Sequence, residues 1–125
     1  MKMLLDTQIF FWTIMENHRL PARARKLMME ADQIYVSAAT IWEMAIKIGL
    51  GKLDGDPRYL AEAITASNFL ELSVTAKHGV AVHSLEMHHK DPFDRLLVAQ
   101  ALAEGLQLLT SDALLARYSK QIILV

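Results

Sequence analysis

Met3-Leu4-Leu5-Asp6-Thr7 is the stretch that decides the fold: three apolar residues in a row, closed by an acid and a hydroxyl. A strand with one wet face alternates apolar and polar side chains. An unbroken apolar triplet instead fits a strand covered on both faces, as in a parallel sheet. The same signature recurs at Ile34-Tyr35-Val36, at residues 69–74, at residues 106–109 and at residues 121–125. Helical patterns separate these runs. Ile9, Phe10, Phe11, Trp12, Ile14 and Met15 follow the first, and Pro21 opens a second helix. Ser37 precedes Ile41, Trp42, Ala45 and Ile48 at helical spacing, a cap followed by an apolar stripe. Asp56-Pro57, Thr75 and Asp91-Pro92 mark further helix starts, Gly105 a helix end, and Ser111-Asp112 the cap of a short helix. Strands alternating with helices predict the α/β class: a three-layer α/β/α sandwich around a mostly parallel, roughly five-stranded sheet.

The 125 residues suit a single domain, 1–125. With 53% hydrophobic and 22% charged residues the chain is no disordered polymer. It has no cysteine, which removes disulfides, thiol nucleophiles, thiolate zinc sites and cysteine-held iron–sulfur clusters. Thirteen basic and fourteen acidic residues give a formal charge of −1, so no overall basic coat for nucleic acid exists, though a local patch is compatible with it. No apolar run exceeds four residues, against the ~20 a spanning helix needs. Asp6 also stops the first run short of a signal-peptide core. A cytoplasmic protein is the expectation.

In open α/β sheets, ligands bind beyond the carboxyl ends of the strands. Four acids fall there. Asp6 follows the first strand and Asp112 the fourth, Asp94 lies in the first turn of the helix begun at Pro92, and Glu43 lies in the helix after the second strand. Each has a structural explanation of its own. Asp6 and Asp112 suit helix caps, Asp94 suits a helix N-terminus, and Glu43 stands four residues before Lys47, the spacing of a helical ion pair. A cap, however, needs no acidic neighbour. Crowded carboxylates repel and raise each other's pKa, and cations relieve them. An oxygen-only set suits Mg²⁺ or Mn²⁺.

Four segments carry a family resemblance: Leu4-Leu5-Asp6-Thr7; Ser37-Ala38-Ala39-Thr40-Ile41-Trp42-Glu43; the run from His89 to Ala101 that contains Asp91-Pro92-Phe93-Asp94-Arg95-Leu96-Leu97; and Leu109-Thr110-Ser111-Asp112. Together they resemble the motifs of PIN-domain ribonucleases, most closely the VapC toxins of bacterial type II toxin–antitoxin pairs. The likeness spans nearly the whole chain. It implies Mg²⁺- or Mn²⁺-dependent RNA cleavage with Asp6, Glu43, Asp94 and Asp112 as the catalytic acids. Asp6 and Asp94 would be direct ligands, Asp112 would complete the metal set, and Glu43 would position water or act as its base. Asp94 is preferred to Asp91, which occupies the cap. The resemblance also implies a homodimer and a small VapB-like antitoxin whose C-terminal segment covers the groove.

Thr7, Thr110, Arg95 and His89 are the candidate substrate contacts. Arg95 could face a phosphate or pair with Asp91 or Asp94. His88-His89 with His83 fits no zinc spacing, which leaves a phosphate-facing loop or a solvated one. Arg19, Arg23, Arg25 and Lys26 form a basic cluster, and Lys47 and Lys52 flank the site. Phe10, Phe11, Trp12 and Trp42 read as core or interface before base-stacking platforms. A phosphoacceptor receiver would need paired acids after the first strand, and a dehalogenase-type phosphatase an Asp-x-Asp there. Asp6-Thr7-Gln8 supplies one acid. A non-catalytic PIN-fold RNA-binding module, and an RNA-processing nuclease that is not a toxin, are the remaining alternatives.

Overall fold

The computed structural model describes residues 1–125. Strands β1 (Lys2–Leu5), β2 (Gln33–Ser37), β3 (Leu70–Leu72), β4 (Gln107–Thr110) and β5 (Ile122–Leu124) form one sheet in the order β3-β2-β1-β4-β5. Every neighbouring pair is parallel. The helices are α1 (Thr7–Ile14), α2 (Ala22–Glu30), α3 (Ala38–Gly49), α4 (Pro57–Ala66), α5 (Ala76–His83), α6 (Pro92–Glu104) and α7 (Ala113–Ala116).

The apolar triplet of β1 is buried on both faces, as its composition requires. Met3 and Leu5 enter one core with Phe10, Val36, Met44, Leu60 and Ile64. Leu4 enters the other with Leu97, Val98, Ala101, Leu108 and Leu115. In β4 the adjacent Leu108 and Leu109 divide in the same way. Two cores on opposite faces of one sheet make the three-layer α/β/α sandwich. Each fully buried Leu, Ile or Phe contributes roughly 1.5–3 kcal/mol relative to exposure. No helix is long and apolar enough to cross a membrane.

The chain starts in the middle of the sheet. β1 is followed outward by β2 and β3, and the chain then returns to place β4 on the other flank of β1. The order therefore reverses between β1 and β4, and a crevice opens beyond their carboxyl ends. Leu5 is in register with Leu109, so Asp6 and Thr110 stand side by side at the carboxyl ends of β1 and β4.

Two sequence expectations change. The third strand was expected over 69–74, yet only Leu70–Leu72 pairs. The Phe69 N–H is spent on the Ile64 carbonyl, closing α4. The Ser73 carbonyl accepts from the Gln100 side chain at 3.3 Å, and Thr75 already caps α5. Trp42 is no core residue, with 62% of its surface exposed. The buried stripe of α3 is Ala39, Thr40, Glu43 and Met44, which turns Trp42 outward, edge-on to Phe93 with ring centroids 5.0 Å apart. Phe10 is fully buried, and Phe11 and Trp12 pack partly buried against the same core.

Candidate active site

Asp6 stands where β1 ends and α1 begins. One carboxylate oxygen caps α1 by accepting the Ile9 N–H at 2.8 Å. The other accepts the hydroxyl of Thr110. Thr110 in turn accepts the Asp112 N–H at 3.0 Å, so a single hydroxyl links the two acids. Asp112 repeats the division of labour. Its Oδ1 caps α7 by accepting the Leu114 N–H at 2.9 Å, and its Oδ2 lies 2.9 Å from His89 Nε2. Cap and functional group are therefore not alternatives here: capping uses one oxygen of each acid and leaves the second to the bonds with Thr110 and His89.

Asp91 caps α6, accepting the N–H groups of Phe93 at 2.8 Å and Asp94 at 3.1 Å. Asp94, one turn in, is free of capping duty, with its Oδ2 3.4 Å from His89 Nε2. Glu43 is buried and held at both oxygens. Thr7 donates to Oε1 at 2.7 Å, and Lys47 donates to Oε2 at 2.9 Å. The i,i+4 pair with Lys47 thus exists, but as a wall of the site.

Asp6, Glu43, Asp94 and Asp112 line one hollow of about 180 Å³, joined by Thr7, Gln8, Lys47, Asp91 and Ser111, with no hydrophobic residue among them. A larger cleft of about 600 Å³ lies among α1, α2 and the loops before β2 and β3, lined by Trp12, Leu20, Met28 and Phe69 among others. The acids gather in the smaller one, which makes it the candidate site.

Charge crowding shows in the acids themselves. Burial, helped by the charges of Glu43 and Asp112, pushes the Asp6 carboxyl up to about 6, against the opposing hydrogen bonds from Thr110 and Ile9. Burial, then the charges of Asp91 and Glu43, push Asp94 up to about 7. The Glu43 carboxylate holds the Lys47 ammonium above its ordinary pKa. Asp94, half-protonated near pH 7, and Asp6, half-protonated near pH 6, in a hollow without apolar lining are a donor set short of positive charge. Hard oxygen donors of this kind fit Mg²⁺ or Mn²⁺. His89, Asp94 and Asp112 bring ligand-type atoms within 4.8 Å of one another. His89 Nδ1 accepts the Asp91 N–H at 3.0 Å, which puts the ring proton on Nε2 and makes that nitrogen a donor to Asp112.

Arg95 takes neither position considered for it. Its guanidinium is buried and turned away from the acids, donating to the carbonyls of Glu86 at 3.0 Å and Val82 at 3.3 Å and to the Tyr118 hydroxyl at 3.1 Å. Five donors in one plane suit a loop clamp as well as a phosphate, and the carbonyls of the loop before α6 claim them first.

A family model described as PIN domain matches residues 3–121. The chain belongs to the PIN domain family. No curated protein matches it. Solved structures similar to this PIN domain include VapBC2 from Rickettsia felis bound to a DNA fragment from their promoter, with TM-score 0.69, 20% identity, and coverage of 100% of this chain and 98% of that one. DNA-bound VapBC from Salmonella typhimurium gives TM-score 0.68, 16% identity, and 100% and 97% coverage. A toxin–antitoxin complex from Klebsiella pneumoniae gives 0.66, 18%, and 96% and 94%. At these identities the likeness is one of fold.

Within this PIN domain, Gln8 also lines the hollow, as does Ser111, which the sequence marks only as a helix cap. Each directly follows a residue that was singled out, so the strand-end rule could have found them. Tyr118 had no such signal. It lies six residues beyond Asp112 in sequence, and only the folded chain brings its hydroxyl to the loop carrying His89.

Proposed function

We propose that this PIN domain is a divalent-metal-dependent endoribonuclease, the toxin of a toxin–antitoxin pair. One observation carries the reading: Asp6, Glu43, Asp94 and Asp112, from four separate elements, line one hollow without apolar residues, where Asp6 and Asp94 are pushed up to about 6 and about 7. Helix caps also collect at the carboxyl edge of a parallel sheet, so the weight falls on Glu43 and Asp94, which cap no helix.

Asp6, Asp94 and Asp112 would hold Mg²⁺ or Mn²⁺ through their uncapped oxygens. When bound, such an ion activates water for hydrolysis and offsets charge on the phosphate. Thr110 fixes the Asp6 carboxylate, and Thr7 fixes Glu43. With both oxygens held, Glu43 keeps the Lys47 ammonium at the rim, where it meets an incoming phosphate. Positioning of this kind needs few cations, so the formal charge of −1 is compatible with an RNA substrate.

The toxin–antitoxin part rests on the fold shared with the VapBC structures above and proposes a VapB-like antitoxin as partner. A homodimer is proposed through the exposed slot of Trp42, Val82, Pro92, Phe93 and Leu96, an apolar surface open to solvent beside the acids. The cytoplasm is the proposed compartment.

The test is cleavage of defined RNAs by protein freed of any partner, with Mg²⁺, Mn²⁺ or EDTA. The expected result is divalent-dependent cleavage that Asp6→Asn or Asp94→Asn reduces at least about 100-fold, roughly 2.7 kcal/mol of transition-state stabilisation. Intact RNA binding without cleavage of any RNA would replace the enzyme by a binding module.

A further inference from the structure

The loop before α6 is held by hydrogen bonds from Tyr118 and Arg95. The Tyr118 phenol oxygen accepts three N–H donors: His88 at 3.1 Å, His89 at 3.0 Å and Arg95 Nη1 at 3.1 Å. The Tyr118 ring packs edge-on against His88, with centroids 4.9 Å apart. From the other side Arg95 holds the Val82 and Glu86 carbonyls. Tyr118 comes from the turn after α7, and Arg95 from the first turn of α6. The two elements that deliver Asp112 and Asp94 therefore also supply the clamp.

What the clamp fixes is His89. Both ring nitrogens are engaged. Nδ1 accepts the Asp91 N–H at 3.0 Å, and Nε2 donates to Asp112 Oδ2 at 2.9 Å with Asp94 Oδ2 at 3.4 Å. The imidazole can neither flip nor withdraw without losing both bonds. Asp112 has its Oδ1 committed to capping α7, so the His89 bond settles the plane of its carboxylate.

We propose that Tyr118 and Arg95 are positioning residues that act through His89, orienting the Asp112 carboxylate toward a divalent ion shared with Asp6 and Asp94. The role rests on the reading of the hollow as a metal site. Partners that orient a ligand's carboxylate typically matter 10–100-fold for metal affinity or activity.

The test is Mn²⁺ affinity of the full chain by calorimetry, beside Mn²⁺-dependent RNA cleavage and ¹⁵N NMR of the histidine rings without metal. His89→Ala weakens Mn²⁺ binding about 10–100-fold, whereas His89→Gln, whose amide supplies an N–H at nearly the same place, stays within about threefold of wild type. Tyr118→Phe weakens binding about as much as His89→Ala and loses the Nε2–H tautomer signature of His89. The double variant Tyr118→Phe/His89→Ala binds Mn²⁺ no more weakly than His89→Ala alone, because the two act in one line. A merely structural Tyr118 would instead add its loss to that of His89.

Unchanged Mn²⁺ affinity in both single variants overturns the positioning role, even if wild type cleaves RNA. Weakened variants of a wild type that binds Mn²⁺ but cleaves nothing uphold the positioning role and overturn the nuclease reading. A wild type that binds no Mn²⁺ overturns both.

Discussion

Thr110 donates its hydroxyl to Asp6 across 104 residues of sequence, joining the carboxyl ends of β4 and β1 at the point where the strand order reverses. The same oxygen accepts the Asp112 N–H, so this one side chain sets two of the acids. Thr110→Val keeps the shape and removes the bond. Asp6 then sits buried with one oxygen unpartnered, and its carboxyl moves further above about 6. The expected loss is about 1–3 kcal/mol at pH 8 and less at pH 5, where Asp6 is protonated. Urea unfolding at the two pH values measures it, and equal losses at both would dissociate the hydroxyl from the ionised acid.

Metal-free stability should fall as pH rises. Asp6 and Asp94 titrate at about 6 and about 7 in the folded chain, against about 4 when unfolded. Between those limits the folded chain binds more protons than the unfolded one, so stability drops from pH 4 upward and levels off above pH 7. For Asp6 alone the loss is on the order of 3 kcal/mol. Divalent ions favour the ionised acids, so Mg²⁺ or Mn²⁺ should raise the melting temperature more at pH 8 than at pH 5.5. Asp6→Asn, which carries no charge to bury, should melt higher than wild type at pH 8 in EDTA and gain little from Mn²⁺. Melting curves across pH, with and without metal, check both statements.

The sheet was legible in the sequence because buried parallel strands announce themselves. Met3-Leu4-Leu5 has no polar face, and neither has Leu108-Leu109. Where burial ends, the reading loosens. Leu70 and Glu71 are exposed at the sheet edge, and nothing in 69–74 says that only three residues pair. At the site, Asp6 was legible because it directly follows a strand and Asp112 because it follows one closely, while Glu43 depended on helical phase. His89 was visible as a residue but not as the bridge between Asp94 and Asp112. That bridge depends on a loop shape set by Arg95 and Tyr118, and loop shape has no periodicity to read.

Gly105 ends α6 at φ 67°, in the left-handed region, with no atom within 4 Å of the place a Cβ would take. Gly105→Ala therefore costs backbone strain alone, about 1–2 kcal/mol. Chemical denaturation should show that loss with RNA cleavage per folded molecule unchanged. A larger loss would mean that the end of α6 shifts.

Trp42 exposes an indole that the monomer leaves uncovered. Trp42→Ser should leave monomer stability within about 1 kcal/mol, since little burial is lost, and should shift the proposed dimer toward monomer in sedimentation analysis. A variant that stays dimeric would place the contact elsewhere.

Anomalous diffraction from crystals soaked in Mn²⁺ tests the central claim most directly, because it locates the ion without assuming a substrate. The account predicts a peak in the hollow, within coordination distance of Asp6, Asp94 and Asp112, that disappears in Asp94→Asn. No peak there at saturating Mn²⁺, or a peak held by other residues, would contradict it.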